Sequence, residues 1–151
     1  MTYTVIFIFL LILSAFFSGT ETAYFHIRKH RKETPDNIKS ILDYPQRLLV
    51  SLLTGNTIVN VVIASLAAYI TANIAHKYKW DNFMLIIIEV IVVSIVVLIF
   101  GEILPKMIAI RQSNKFAKRV YRPLKIMMSV LYPIAQAFNS VTTLIMKVLP
   151  V

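Results

Sequence analysis

The chain has 151 residues, is 58% hydrophobic with a mean hydropathy of +0.72, and carries a net charge of +9 with no cysteine. The missing cysteine excludes disulfides, thiolate metal sites and cysteine nucleophiles. An ordinary soluble domain is excluded because the apolar residues are massed in runs of membrane length, and nucleic acid is excluded as a partner because the basic residues flank those runs, where they meet headgroups.

The first run spans about 3–27 and has no Lys or Arg ahead of it. It lacks the basic start of a signal peptide and reads as a retained span. Next comes "NIKSILDYPQRLLVSLLTGN", broken at Pro45 and ending at Gly55. It is too short for a crossing, so a re-entrant or interfacial helix pair is expected over about 37–54. A second span is expected over about 55–75 and a third over about 83–105, joined by the short turn "HKYKWDN" whose Tyr78 and Trp80 suit an outer interfacial belt. From Asn114 to about 149 apolar residues recur every three or four positions, interrupted by Pro123 and Pro133. This predicts an amphipathic helix in the inner interface, with a fourth span over 126–146 as the alternative. The end at "LPV" has no clear stop, which suggests a domain cut from a longer protein.

Basic residues number six between the first two spans, two between the second and third, and seven from Lys106 to Lys125. Positive flanks stay in the cytoplasm, so the expected topology has the N-terminus outside and the C-terminus inside. The fold class expected is an all-α integral membrane protein.

Polar residues at membrane depth form three clusters: Ser18, Gly19 and Glu21 in "FFSGTETAYF", Asn56 and Asn60 in "LLTGNTIVNVV", and Gly101, Glu102 and Pro105 in "FGEILPK". Tyr3 to Ser18 is about 22 Å of helix and Phe83 to Glu102 about 28 Å. All three clusters therefore fall in the cytoplasmic half, at levels where they can meet. Ser14, Ser18 and Glu21 share one helix face, and Asn56 and Asn60 another. Pro105 lacks an N–H and opposes the carbonyl at Gly101, which is thereby freed from the helical ladder. Hydroxyl, amide, carboxylate and carbonyl are oxygen donors, the set used by hard cations such as Mg²⁺ and Ca²⁺. Taken singly, the Ser and Asn residues also suit interhelical hydrogen bonds, and Glu102 also suits an i,i+4 pair with Lys106. Glu89, deeper in the third run, marks an ion path, since ionisable residues inside membranes rarely serve packing alone. No nucleophile–base pair or phosphate-cradling loop is evident, so an enzyme is not expected.

The three motifs, in this order and at this spacing, resemble the transmembrane domain of the CorC/CNNM family of magnesium transporters, with its F-S-x-x-E, G-N-x-x-x-N and G-E-[IL]-x-P-K signatures. The resemblance covers essentially the whole chain. It implies a homodimer with three spans per subunit, a helix pair after the first span, and a cytoplasmic-side juxtamembrane helix. Cytosolic CBS modules follow this domain in the family and are absent here. The implied function is Mg²⁺ export coupled to Na⁺ influx through an acidic, inward-facing cavity. The alternatives are a dimeric anchor for cytosolic regulatory modules, or transport of another cation. Carried over, Ser18 offers hydroxyl oxygen, Asn56 its side-chain carbonyl, Gly101 its main-chain carbonyl and Glu102 the negative charge. Glu21 and Asn60 are weaker ligand or outer-shell candidates. Gly19 departs from the family's usual alanine or serine, and Gly19, Gly55 and Gly101 are the expected pivots of an outward-opening rearrangement.

Overall fold

A computed structural model describes residues 2–29, 36–78 and 82–148. These are helical almost throughout: α1 (Thr2–Lys29), α2 (Asp36–Leu42), α3 (Pro45–Tyr78), α4 (Asn82–Val96), a π-helical segment (Val97–Ile103), α5 (Leu104–Arg111) and α6 (Ser113–Val148). Among the described residues, three stretches are long and apolar enough to cross a bilayer: Thr2–Lys29, Pro45–Tyr78 and Phe83–Arg111. At 1.5 Å per residue each exceeds the ~30 Å of hydrocarbon. Trp80 lies outside the described residues.

The expected helix pair over 37–54 is realised differently. Its first arm is α2, but its second arm runs on without a break into the second span as one 34-residue helix. Pro45 is the first residue of α3, where its missing N–H is an orphan of any helix start and costs no bond. Only Asp43 and Tyr44 separate the two helices, their N–H groups closing back on the Lys39 and Ile41 carbonyls. Gly55 is therefore no boundary. It sits inside α3, where a Cβ would come within 2.5 Å of the Phe17 ring and 2.8 Å of Leu131. The absent side chain lets α1, α3 and α6 meet at one crossing, the role small residues play between membrane helices.

Pro123 and Pro133 likewise fail to interrupt the tail, which is one helix from Ser113 to Val148. Both prolines are on the exposed side, so each removes one ladder bond without driving its ring into a neighbouring helix. The expected amphipathic pattern holds over the first half of α6. Ala117, Val120, Leu124, Met128 and Leu131 are buried, while Lys118, Arg119, Arg122 and Lys125 are exposed. That apolar stripe packs against α1 and α3.

The core is consequently at one end of the bundle, where Phe17, Tyr24 and Ile27 meet Ile38, Ile41, Leu48, Leu52 and the α6 stripe. Elsewhere the surface is apolar. Phe83, Met84 and the isoleucines and valines of α4 are exposed, as suits a helix whose solvent is lipid.

The third crossing changes register at its polar cluster. Residues 97–103 are π-helical, with the Leu104 N–H bonded to the Ile99 carbonyl, five residues back. Such wide turns commonly appear at functional sites. Pro105, at the start of α5, has no N–H to return to Gly101. The chain near Gly101 thus remains helical, in a widened turn, rather than leaving the helix as the sequence suggested.

Candidate functional site

Polar residues of the three crossings gather around α1, which packs against α3 on one side and the π-helical segment on another. Ser14 is the hub. It is fully buried, and its hydroxyl lies 2.9 Å from Oδ1 of Asn60 and 3.4 Å from Oδ1 of Asn56. Asn56 and Asn60 are one turn apart on α3, so their side chains leave the same face. Gly101 is buried against the same serine, and a Cβ there would stand 2.9 Å from Ser14 Oγ. One turn along α1, Ser18 is also buried, and its Oγ has no hydrogen-bond partner. Its carbonyl accepts a hydrogen bond from the Thr22 hydroxyl at 3.1 Å.

The proton count makes this cluster chemically distinctive. Two amide oxygens converge on one hydroxyl, which has a single proton to give. The contact to Asn60 at 2.9 Å is the better placed to take it, which leaves the half-buried Asn56 Oδ1 only the longer contact at 3.4 Å. Ser18 Oγ adds another unpartnered oxygen. Buried polar atoms without partners are costly, and each one needs an explanation. All the donors here are oxygen, the type that hard cations use, and the buried hydroxyls of Thr20, Tyr24 and Ser51 likewise lack a partner. Among the described residues no group of three or more His, Cys, Asp or Glu is disposed to hold a metal.

The carried-over residues divide accordingly. Asn56, Asn60 and Gly101 meet at Ser14, which matches no motif position, and Ser18 is buried one turn further along the same face of α1. Glu102 follows Gly101 on the π-helical segment and is half-buried. It is the one carboxylate in the stretches 14–18, 56–60 and 97–103. Glu21 is elsewhere, lining an open hollow of 380 Å³ between α1 and α5 with Thr22, His26, Lys29 and Lys106. Lys106 thus faces the Glu21 hollow. Glu89 lines a cavity of 560 Å³ between α3 and α4, where Ala68, Ala72 and Ala75 leave room and Thr71 and His76 are its polar neighbours. Gly19 serves a helix contact: a Cβ there would meet the tip of the Phe116 ring of α6 at 2.7 Å.

Comparison with known proteins places the chain in a membrane-protein family. The family model described as the cyclin M transmembrane N-terminal domain matches residues 5–151. The chain is 28% identical over 148 residues to the UPF0053 inner membrane protein YfjD of Escherichia coli, covering 91% of this chain and 32% of that protein. It is 26% identical over 155 residues to a UPF0053 protein of Haemophilus influenzae, covering 97% of this chain and 36% of the relative. A chloroplastic DUF21 domain-containing protein of Arabidopsis thaliana is 26% identical over 93% of this chain and 22% of its own length. The chain therefore spans about a third of the bacterial relatives and about a fifth of the plant one.

Proposed function

The chain belongs to the family of the cyclin M transmembrane N-terminal domain, and from that premise we propose that it carries Mg²⁺ across the membrane through the oxygen cluster of α1, α3 and the π-helical segment. The observation that carries the reading is the pair of amide oxygens competing for the single Ser14 proton beside the unpartnered Ser18 hydroxyl. Mg²⁺ requires close octahedral oxygens at ~2.1 Å and gives up water reluctantly. Ser18, Asn56 and the Gly101 carbonyl are the first donors, with Ser14 and Asn60 completing or orienting the shell. Glu102 provides the charge without which a divalent ion at this depth is prohibitively costly.

Basic residues at the α1–α2 and α5–α6 ends support a cytoplasmic location for those ends, with the N-terminus outside. The cation is taken up from that side and exported, with Na⁺ influx as the driving step. The unit of function is a homodimer, whose cytosolic CBS modules belong to the longer protein. Glu89, in its own cavity with Thr71 and His76, lines the outer part of the route or holds the coupling Na⁺.

Calorimetric titration with Mg²⁺ tests the donor set. Asn56→Ala removes the amide oxygen that makes only the longer contact with Ser14, and Mg²⁺ affinity is expected to fall by at least the ~10–100-fold that losing even an outer-shell partner costs. Unchanged affinity removes Asn56 from the site and leaves its contact with Ser14 as helix packing.

A further inference from the structure

A second pocket lies apart from the cation cluster, where the α2–α3 turn meets α6. It encloses 260 Å³ and is lined by Ser40, Ile41, Tyr44, Arg47, Tyr121, Lys125, Met128 and Ser129. Its floor is apolar, since Ile41 and Met128 are buried in the core cluster. Its rim carries two cations from different helices, Arg47 of α3 and Lys125 of α6, together with four hydroxyl residues. Among the described residues no carboxylate lines it. Two cations facing one hollow without a counter-charge repel each other, and an anion between them reverses the sign of that term.

Arg47 is held in place. Its guanidinium carbon stands 4.1 Å from the centre of the Tyr132 ring, a cation–π contact that restrains the side chain while its N–H fork can meet planar or tetrahedral oxyanions. The hydroxyls of Ser40, Tyr44, Tyr121 and Ser129 are of the type that complements phosphate oxygens. The volume is roughly nine times the ~30 Å³ share of one water, enough for a phosphate group. Leu49, Leu53, Ile126 and Val130 on the same two helices are exposed and apolar, as suits helices whose surroundings are lipid. A basic rim over an apolar floor at the polar end of a membrane bundle is the disposition that receives anionic headgroups.

We propose that this pocket is a phosphate-binding site that clamps the headgroup of an anionic phospholipid between α3 and α6. It is independent of the cation cluster: none of its residues is a donor there, and either site can fail without the other. By occupying it, a lipid ties the docked helix α6 to the start of the second crossing.

The test is native mass spectrometry of the detergent-purified chain titrated with phosphatidylglycerol, phosphatidylcholine or inorganic phosphate. Saturable phosphatidylglycerol binding is expected, weakened about tenfold or more in R47Q/K125Q and essentially retained in K115Q/K118Q, which removes the same charge from the start of α6. S129F fills the pocket without altering charge, and is expected to weaken binding equally even if R47Q/K125Q fails to fold. Displacement of the lipid by millimolar phosphate identifies the phosphate group as sufficient and admits a soluble source; resistance to it assigns the site to lipid. Equal binding of phosphatidylglycerol and phosphatidylcholine, or parent-like binding in both R47Q/K125Q and S129F, overturns the proposal.

Discussion

Glu102→Ala is expected to reduce Mg²⁺ flux to the background of empty vesicles, measured with a Mg²⁺-sensitive dye in liposomes holding the purified chain. The reason is charge. The oxygens of Ser14, Ser18, Asn56 and Asn60 are neutral, and neutral donors alone leave a doubly charged ion uncompensated in hydrocarbon. The effective penalty for an unpaired ion at depth is several kcal/mol, and every ~1.4 kcal/mol on a barrier is tenfold in rate. Glu102 is half-buried, adjoins Gly101, and is the one acid in the three stretches that form the cluster. Glu102→Gln keeps the shape but not the charge and is expected to fail as completely. Parent-like flux in both variants would dismiss the carboxylate. A parent chain with no flux at all would favour the anchor reading, in which the polar residues only join helices.

The second large effect is expected from adding one methyl group. In Gly101→Ala the new Cβ stands 2.9 Å from Ser14 Oγ and 3.4 Å from Ser14 Cβ. Ser14 cannot retreat easily, because it is fully buried and bonded to Asn60 at 2.9 Å. The methyl therefore displaces the hub of the oxygen cluster. Overpacking of this kind costs ~1–3 kcal/mol of stability, but the loss of ion affinity should exceed what that implies, by tenfold or more, because misplacing a donor by ~1 Å defeats a site that demands fixed geometry. Gly19→Ala is the control. Its Cβ meets only the tip of the Phe116 ring, a side chain able to swing, so Mg²⁺ affinity should stay within about threefold of the parent while melting temperature falls slightly. Equal affinities for Gly101→Ala and the parent would separate Gly101 from the site.

Much of the fold is legible in the sequence because lipid selects for continuous apolar runs. The three crossings follow from run length alone, and the docked stripe of α6 follows in part from spacing. Val120, Leu124 and Leu131 are buried as the pattern predicts, while Ala117 and Met128 are buried where Phe116 and Met127, which are only partly buried, were expected. Proline and glycine mislead where their effect depends on position in the structure. Pro45 reads as a break and turns out to begin a helix, Gly55 reads as a boundary and turns out to be a crossing point, and Pro123 and Pro133 are absorbed on an exposed face. The π-helical register is invisible for a different reason: a run as uniformly apolar as "IIIEVIVVSIVVLIF" has no polar markers from which a change of period can be read. The site shows the same division. Its motif residues can be recognised singly, and the shared face of Ser14 and Ser18 follows from helical spacing, but that two amide oxygens on another helix converge on Ser14 is a tertiary fact. The neighbours of Glu89 and the separation of Glu21 into its own hollow are equally products of how α1, α3, α4 and α5 pack.

The most direct test is the position of the ion itself. Crystals of the chain grown with Mn²⁺ in place of Mg²⁺ give an anomalous signal that locates the metal without reference to the protein density. The expected result is one peak per chain in the cluster, at first-shell distance, near the ~2.1 Å that Mg²⁺ takes, from Ser18 Oγ, Asn56 Oδ1 and the Gly101 carbonyl, with Glu102 turned toward it. A peak confined to the Glu89 cavity or the Glu21 hollow, with the Ser14 cluster metal-free at saturating Mn²⁺, would contradict it.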